Sequence, residues 1–264
     1  MKRIFKISTG CAIILFFTAC MINPHEKMPF NNFFNEPVSL AANLIFYHFN
    51  EPTYTGAAGD VVDSSGLGKN STSTGSLTKA AGIFGMGIKC GGGSGVNLQV
   101  NTFDLAFSER TISIWFVANS TSGISMIYEE GGTVNGINIY IVDGLLYGHT
   151  YKNNGSDFKR WHTAPVNIET WYHVVITYSN TGGFLLYVNG VATGAALPLG
   201  FDMPSHSNPN ALCYQNDDSR RHDVVDSNNT GGHPFNGILD ELAVWNRTLS
   251  PDEILNLYLR QGRL

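Results

Sequence analysis

Apolar residues recur along most of the chain at the spacing of short strands. Asn43 to Phe49 and Thr111 to Val117 are almost wholly apolar, whereas Val96, Leu98 and Val100 alternate with polar residues. Alternation with a period of two is typical of a strand with one buried face, and a short apolar run between turn residues is typical of a strand buried on both faces. The pattern therefore predicts a series of short strands across most of the chain.

Turn dipeptides between the apolar runs predict where the strands reverse. Asn135-Gly136 and Asp143-Gly144 flank the strand Ile137 to Val142, and Asn189-Gly190 follows Phe184 to Val188. Such dipeptides adopt the positive φ angles that match the twist of the flanking strands. We expect a meander of about a dozen antiparallel strands that closes as two packed sheets.

Two further segments complete the secondary-structure prediction. Asp63 to Gly75 is rich in Gly, Ser, Thr and Asn and is expected to be a loop. Ser250, Pro251 and Glu253 form a capping box with proline at the first helical position, which predicts a C-terminal helix. Within the last strand, simple alternation places Ile238, Asp240, Leu242 and Val244 on one face.

Composition and charge narrow the classes of partner. The chain has 29 glycines and only 14% charged residues, which suits many short strands joined by tight turns. The formal net charge is -5, and no basic cluster interrupts it. Nucleic acid is therefore not expected as a partner.

The first 38 residues are predicted to be separate from the folded domain. Met1-Lys2-Arg3 and the short apolar run Cys11 to Thr18 have the form of a secretory signal, too short to span a membrane. Phe17-Thr18-Ala19-Cys20 resembles a bacterial lipobox, although Phe17 stands where leucine is usual. We expect a signal peptide over 1–19, lipidation of Cys20, a flexible tether over 20–38 and one domain over 39–264. Ordinary cleavage near Ala19 is the alternative.

Several segments together resemble the laminin-G-like, concanavalin-A-like domains of bacterial surface proteins. They are Ile45 to Glu51, Asp63-Ser64-Ser65-Gly66, Gly82 to Gly91 and, most specifically, Phe235 to Arg247. The resemblance implies an all-β fold, a two-sheet antiparallel jelly-roll sandwich with a short C-terminal helix. We also expect the closing segment of the chain to pair with the opening strand, so that the two sheets close.

Two cysteines remain in the expected mature domain. Cys90 and Cys213 form an even pair in an exported protein, which makes a disulfide one expectation. Both occupy positions where the resembled family usually has apolar core residues, so two buried free thiols are the alternative.

No enzyme signature is found in the sequence. Glycosidases related to this fold carry Glu-x-Asp-x-x-Glu on one strand, but Ile238 and Ala243 flank Asp240 at the corresponding positions. Metalloprotease, serine-hydrolase and phosphate-binding motifs are also absent. No catalytic residue is predicted, and the protein is expected to bind rather than to catalyse.

The loop Gln215 to Asp226 is the first candidate site. Asn216, Asp217 and Asp218 concentrate the oxygen donors that calcium prefers, and pentraxins, distant relatives by fold, carry a similar cluster for calcium-dependent binding. A solvated loop with internal Arg–Asp pairs is the alternative. Asp240, on an apolar side of its strand, is expected either to accept backbone N–H groups or to bind a structural calcium ion.

Three aromatic residues beside polar segments are the second candidate site. Tyr151, Trp161 and Tyr214 are predicted to stack on a ligand, with the alternative that Trp161 covers an edge of the core. We expect a lipid-anchored binding module at the cell surface or in the periplasm of a bacterium, which recognises a carbohydrate or an extracellular protein, with calcium as a cofactor. The alternatives are a carbohydrate-active hydrolase with a non-standard acid pair and a structural envelope lipoprotein.

Overall fold

Two antiparallel sheets form the fold in the computed structural model, which describes residues 43–98, 103–153, 158–223, 225–226 and 232–260. The strands of the first sheet are β1 (Asn43–Tyr47), β3 (Thr78–Ala81), β4 (Met86–Cys90), β6 (Glu109–Ala118), β11 (Trp171–Ser179), β12 (Gly183–Val188), β13 (Val191–Ala192) and β17 (Gly237–Trp245). Their order is β13-β12-β11-β6-β17-β4-β3, and β1 also pairs with β17. The predicted two-sheet all-β fold is confirmed.

The second sheet has seven strands. They are β2 (Thr72–Thr74), β5 (Gly95–Leu98), β7 (Ile124–Gly131), β8 (Gly136–Val142), β9 (Leu145–Lys152), β10 (Phe158–Pro165) and β14 (Asn210–Leu212). Their order is β10-β9-β8-β7-β14-β5-β2. A small separate ribbon is formed by β15 (Ser219–Arg220) and β16 (Val225–Asp226).

The hydrophobic core lies between the two sheets. Ile137, Ile139 and Ile141 of β8 are fully buried, as are Ile112 and Ile114 of β6 in the opposite sheet. Removing each of these side chains from water contributes about 1.5–3 kcal/mol.

The predicted hairpins also form, since Asn189 has φ 51° and Asp143 has φ 45° at the turns.

The opening and closing strands pair, as expected. Phe46 on β1 lies opposite Ala243 on β17. The simple alternation predicted for β17 is wrong, because a bulge separates Asp240 from Ala243 and Glu241 takes φ 50°. As a result Leu239, rather than Asp240, shares the core face with Leu242.

The segment predicted as a loop after Asp63 contains a short strand. Thr72–Thr74 form β2, which pairs with β5 at the edge of the second sheet. The prediction of an unbroken loop is wrong here because the carboxylate of Asp60 accepts the backbone N–H of Ser73 at 2.7 Å and holds it beside the sheet.

A helix packs on the outside of the first sheet. Helix α1 (Pro251–Leu259) begins at Ser250, and the predicted capping box is present in full. Ile254 and Leu257 are buried against Trp245 of β17. This cluster covers the outer side of β17 near its end.

A disulfide joins the two sheets. Cys90 at the end of β4 is bonded to Cys213, which follows β14, with their Cα atoms 5.6 Å apart. Both side chains are buried.

Of the helices that the structure describes, none has the length and apolar character needed to cross a membrane.

Candidate functional site

The outer face of the second sheet carries a row of polar and aromatic side chains. Trp161 on β10 lies opposite His149 on β9. Asn138 on β8 pairs with His149 on one side and with Glu129 of β7 on the other. Residues directly opposite each other in antiparallel strands project from the same face. Since the isoleucines on either side of Asn138 face the core, the row faces away from it.

A segment of chain, Gln215–Asp223, runs across this face, and we call it the covering segment. The side-chain amide of Asn138 donates at 2.9 Å to Ser219 Oγ and at 2.9 Å to the carbonyl of Arg220. Asn138 and its two neighbours in the row are completely buried. The covering segment therefore closes the middle of the face and leaves the β10 border accessible.

An aromatic patch lies where the covering segment meets that border. Tyr140 and Tyr147 lie opposite each other, and their rings stack with centroids 5.1 Å apart. His222 of the covering segment stacks on Tyr147 with centroids 4.2 Å apart. Trp161 is 41% exposed, and its ring centroid is 5.8 Å from that of His222. We define the aromatic patch as Tyr147, Trp161 and His222.

Hydrogen bonds beneath the patch hold His222 in place. The backbone N–H of His222 donates to the hydroxyl of Tyr140 at 2.8 Å, and this hydroxyl lies 3.0 Å from Nδ1 of His222. Burial lowers the pKa of His222, against the opposing charge of Asp223, so the ring is neutral at neutral pH. Burial raises the pKa of Tyr140, which keeps its proton. The Tyr140 hydroxyl can therefore donate to Nδ1 while it accepts the backbone N–H.

Charged side chains border the patch. Nζ of Lys159 donates to the carbonyl of His222 at 3.3 Å. On the other side, Asp223 is paired with Arg221, with Nε and Oδ1 3.6 Å apart, and its side chain is 51% exposed. The patch thus combines exposed ring surface with a cation and a carboxylate, a combination suited to binding a polar ligand with apolar faces.

Two ionisable groups are enclosed under the covering segment. Burial raises the pKa of Glu129 well above its usual range, and the charge of Asp217 adds to this effect. Burial lowers the pKa of His149 to about 3. The ring of His149 is therefore neutral at neutral pH. Sugar hydrolysis by two carboxyl groups requires them about 5–10 Å apart on either side of the bond, and the covering segment keeps a ligand away from Glu129.

Of the three predicted stacking residues, Trp161 is the one that offers an exposed ring. The prediction for Tyr151 is wrong because β9 continues to Lys152 and buries this ring completely, with its hydroxyl donating to the carbonyl of Gly132. The prediction for Tyr214 is also wrong. Its ring is 4% exposed, since it lies against the backbone of Gly95, where a Cβ would be only 2.7 Å from the ring.

Sequence reasoning missed three residues at the patch. Lys159 lies two positions before Trp161 on β10, so strand alternation would have placed both on one face. Tyr147 lies two positions before His149 on β9, so strand alternation would also have placed these two side chains on one face. Nothing local indicates His222, because its position depends on the covering segment folding back over strands distant in sequence.

The predicted calcium residues lie at the start of the covering segment. Asp217 accepts the side-chain amide of Asn208 at 2.8 Å and the N–H of Asp218 at 2.7 Å, one on each carboxylate oxygen. The side-chain amide of Asn216 donates to Asn97 at 3.0 Å. Calcium needs six to eight oxygens, and the described part of the chain has no group of three or more His, Cys, Asp or Glu side chains suited to hold a metal. As folded, this donor set does not fit calcium, and calcium binding stays a prediction.

Asp240 lies in the other sheet, on β17. Its carboxylate accepts the N–H of Phe84 at 3.1 Å and the N–H of Glu241 at 2.9 Å. A Cβ on Gly82 would lie 2.2 Å from the carboxylate, so glycine allows the turn between β3 and β4 to approach. Burial raises the pKa of Asp240 to about 8. These contacts give Asp240 the backbone-accepting role that was one of its two expected roles.

The predicted lipidation site, Cys20, lies outside the described residues, and so do the predicted signal peptide and tether.

Comparison with known proteins gives a family match but no curated relative. The family model of the concanavalin A-like lectin/glucanases superfamily matches residues 91–255. No curated protein matches the sequence.

Solved structures with the same fold include sugar-binding and receptor-binding domains. Domain 4 of AbnA, a GH43 extracellular arabinanase from Geobacillus stearothermophilus, in complex with arabinotriose, is 20% identical, with a TM-score of 0.59 over 82% of this chain and 98% of that one. Botulinum neurotoxin type C, whose cell entry depends on two ganglioside molecules, is 16% identical, with a TM-score of 0.62 over 85% of this chain and 52% of that one.

A third structure binds a protein. The binding domain of botulinum neurotoxin DC in complex with rat synaptotagmin II is 14% identical, with a TM-score of 0.60 over 85% of this chain and 52% of that one. The chain thus spans about half the length of the two neurotoxin chains. At these identities the likeness establishes the fold.

Proposed function

Because the chain belongs to the concanavalin A-like lectin/glucanase superfamily, we propose that it is a binding module that recognises a glycan through the aromatic patch. The observation that carries the proposal is the exposed ring of Trp161 beside the stacked rings of His222 and Tyr147. Aromatic faces provide the apolar surface on which sugar rings stack, and nearby polar groups fix their orientation.

The patch is ordered before any ligand arrives. Tyr147 is stacked on Tyr140, and the backbone and ring of His222 both contact the Tyr140 hydroxyl. Side chains fixed in advance lose little conformational entropy on binding, which increases affinity for a given contact area.

A sugar fits the patch better than a protein partner does. A stable protein interface involves about 20–30 residues on each side, whereas the patch consists of three side chains and their charged border. Among similar folds, one structure holds arabinotriose and another belongs to a toxin that depends on gangliosides. Binding, rather than turnover, is proposed because the buried carboxyl group of the same face, Glu129, is enclosed.

The proposed location is outside the cytoplasm, with the module held to a membrane by lipid on Cys20 through the tether 20–38. The signal-like N-terminus and the lipobox-like Phe17 to Cys20 support this location. The Cys90–Cys213 disulfide also supports it, since structural disulfides persist in oxidising compartments.

The test is a glycan array, followed by calorimetric titration of the best ligand with wild type and Trp161→Ala. We expect Trp161→Ala to weaken binding about thirtyfold, the effect of losing a central aromatic contact. Phe84→Ala is the matched control, because Phe84 is 39% exposed on the turn between β3 and β4 of the other sheet. Glycan binding that is equal in both variants would overturn the proposal, and product release from a bound polysaccharide would establish a hydrolase instead.

A further inference from the structure

Lys159 is placed to contact any ligand that lies on Trp161. The two residues are separated by one position on β10 and project from the same face of the sheet. Positions two apart on a strand are about 7 Å from each other along the chain, a spacing that suits neighbouring groups of one oligosaccharide. Nζ of Lys159 donates to the carbonyl of His222 at 3.3 Å, which holds the ammonium group beside the patch.

The two charged groups that border the patch differ in their partners: the carboxylate of Asp223 has an ion-pair partner, and the ammonium group of Lys159 bonds a neutral carbonyl. Asp223 is 3.6 Å from Arg221 Nε and 3.7 Å from His222 Nδ1, so its charge is already met by a cation. Lys159 differs, because no carboxylate of the described residues lies within ion-pair distance of its ammonium group. Its one hydrogen bond there is to a neutral carbonyl.

Ligand binding changes the surroundings of this ammonium group. A glycan stacked on Trp161 displaces water from the half-buried Lys159. An ammonium group that loses its hydration needs a new hydrogen-bond or ionic partner. A neutral sugar offers hydroxyl groups, whereas a sugar carboxylate offers a charge-assisted hydrogen bond, which is about twice as strong. The positive charge of Lys159 also lowers the pKa of His222 and His149, which places this charge close to both rings.

We infer that the aromatic patch selects acidic glycans, with a sugar carboxylate bound by Lys159 while the adjoining ring stacks on Trp161. The inference rests on the proposed glycan binding and adds its substrate class. A carboxylate of this kind occurs in uronic acids and in sialic acids, so both sources must be tested.

The experiment titrates full-length protein with three ligand pairs by calorimetry. Oligogalacturonate is compared with its methyl ester, oligomannuronate with its methyl ester, and sialyllactose with lactose. Each titration is repeated with Lys159→Gln, with Lys79→Gln as an exposed lysine control on β3, and with Trp161→Ala. We expect wild type and Lys79→Gln to bind the acidic member of one pair about tenfold more tightly than its neutral counterpart at low salt.

The outcomes separate selectivity from binding itself. Lys159→Gln should lose the tenfold preference for the acidic member and still bind the neutral member through Trp161, whereas Trp161→Ala should weaken the binding of both members. Equal affinity of wild type for the acidic and neutral members would overturn the inference and leave the proposed function intact. A preference that survives in Lys159→Gln would also overturn it. If none of the glycans binds, the proposed function fails together with the inference.

Discussion

Breaking the Cys90–Cys213 bond is a perturbation whose size follows from the topology. The two residues are 123 positions apart in sequence; Cys90 ends β4 of the first sheet, and Cys213 follows β14 of the second. In the chain-entropy model, closing a loop of this length removes about 16 cal/mol/K of entropy from the unfolded chain, or about 4.9 kcal/mol at 25 °C. Most small domains have only about 5–15 kcal/mol of stability, so the reduced protein should be marginally stable.

The assay is urea denaturation of oxidised and reduced protein, followed by tryptophan fluorescence. We expect the free energy of unfolding to fall by about 4–5 kcal/mol on reduction, with a matching fall in the double variant Cys90→Ala with Cys213→Ala. The double variant also loses two buried side chains, so reduction of the wild type is the cleaner measurement. Equal denaturation midpoints with and without reductant would refute the reasoning.

Two further perturbations test Asp240 and calcium. Burial raises the pKa of Asp240 from 3.8 to about 8, so the folded protein holds a proton that the unfolded chain releases. The contribution of the protonated Asp240 to the free energy of unfolding is complete below about pH 4, declines as the pH rises and is lost above about pH 8. Asp240→Asn should therefore reduce the decline in unfolding free energy over this interval, by about 1.4 kcal/mol per pH unit at most; an unchanged slope would contradict the raised pKa. Because the oxygens of Asp217 are engaged within the protein, millimolar calcium should leave the melting temperature unchanged. A rise that is absent in Asp217→Ala with Asp218→Ala would instead support the calcium site.

Local sequence signals predicted those parts of the fold that local chemistry determines. The turn at Asn189-Gly190 and the capping box at Ser250 were both identified, since each depends on a few adjacent residues. The bulge at Glu241 was not, because it arises from the way β17 pairs with three strands that are distant in sequence. Its one-residue shift reverses the faces that simple alternation assigns.

The candidate site shows the same division. Trp161 was selected from its polar surroundings, and strand alternation alone would have added Lys159. Tyr151 looked equally suitable in sequence, but β9 extends past it and the ring is enclosed. The stack of His222 on Tyr147 joins residues 75 positions apart. No periodic pattern within either segment indicates this contact, since it depends on the long-range path of the chain.

Strand β10, which carries Trp161, is the outermost strand of its sheet. A polysaccharide stacked on this ring would lie along an open edge of the sheet and not inside an enclosed pocket. The module could therefore bind interior sugar units of a long polymer, because no free chain end has to enter a pocket. If the protein is lipid-anchored as proposed, neighbouring copies on one membrane would bind the same polymer at several points, and the combined affinity would far exceed that of a single copy.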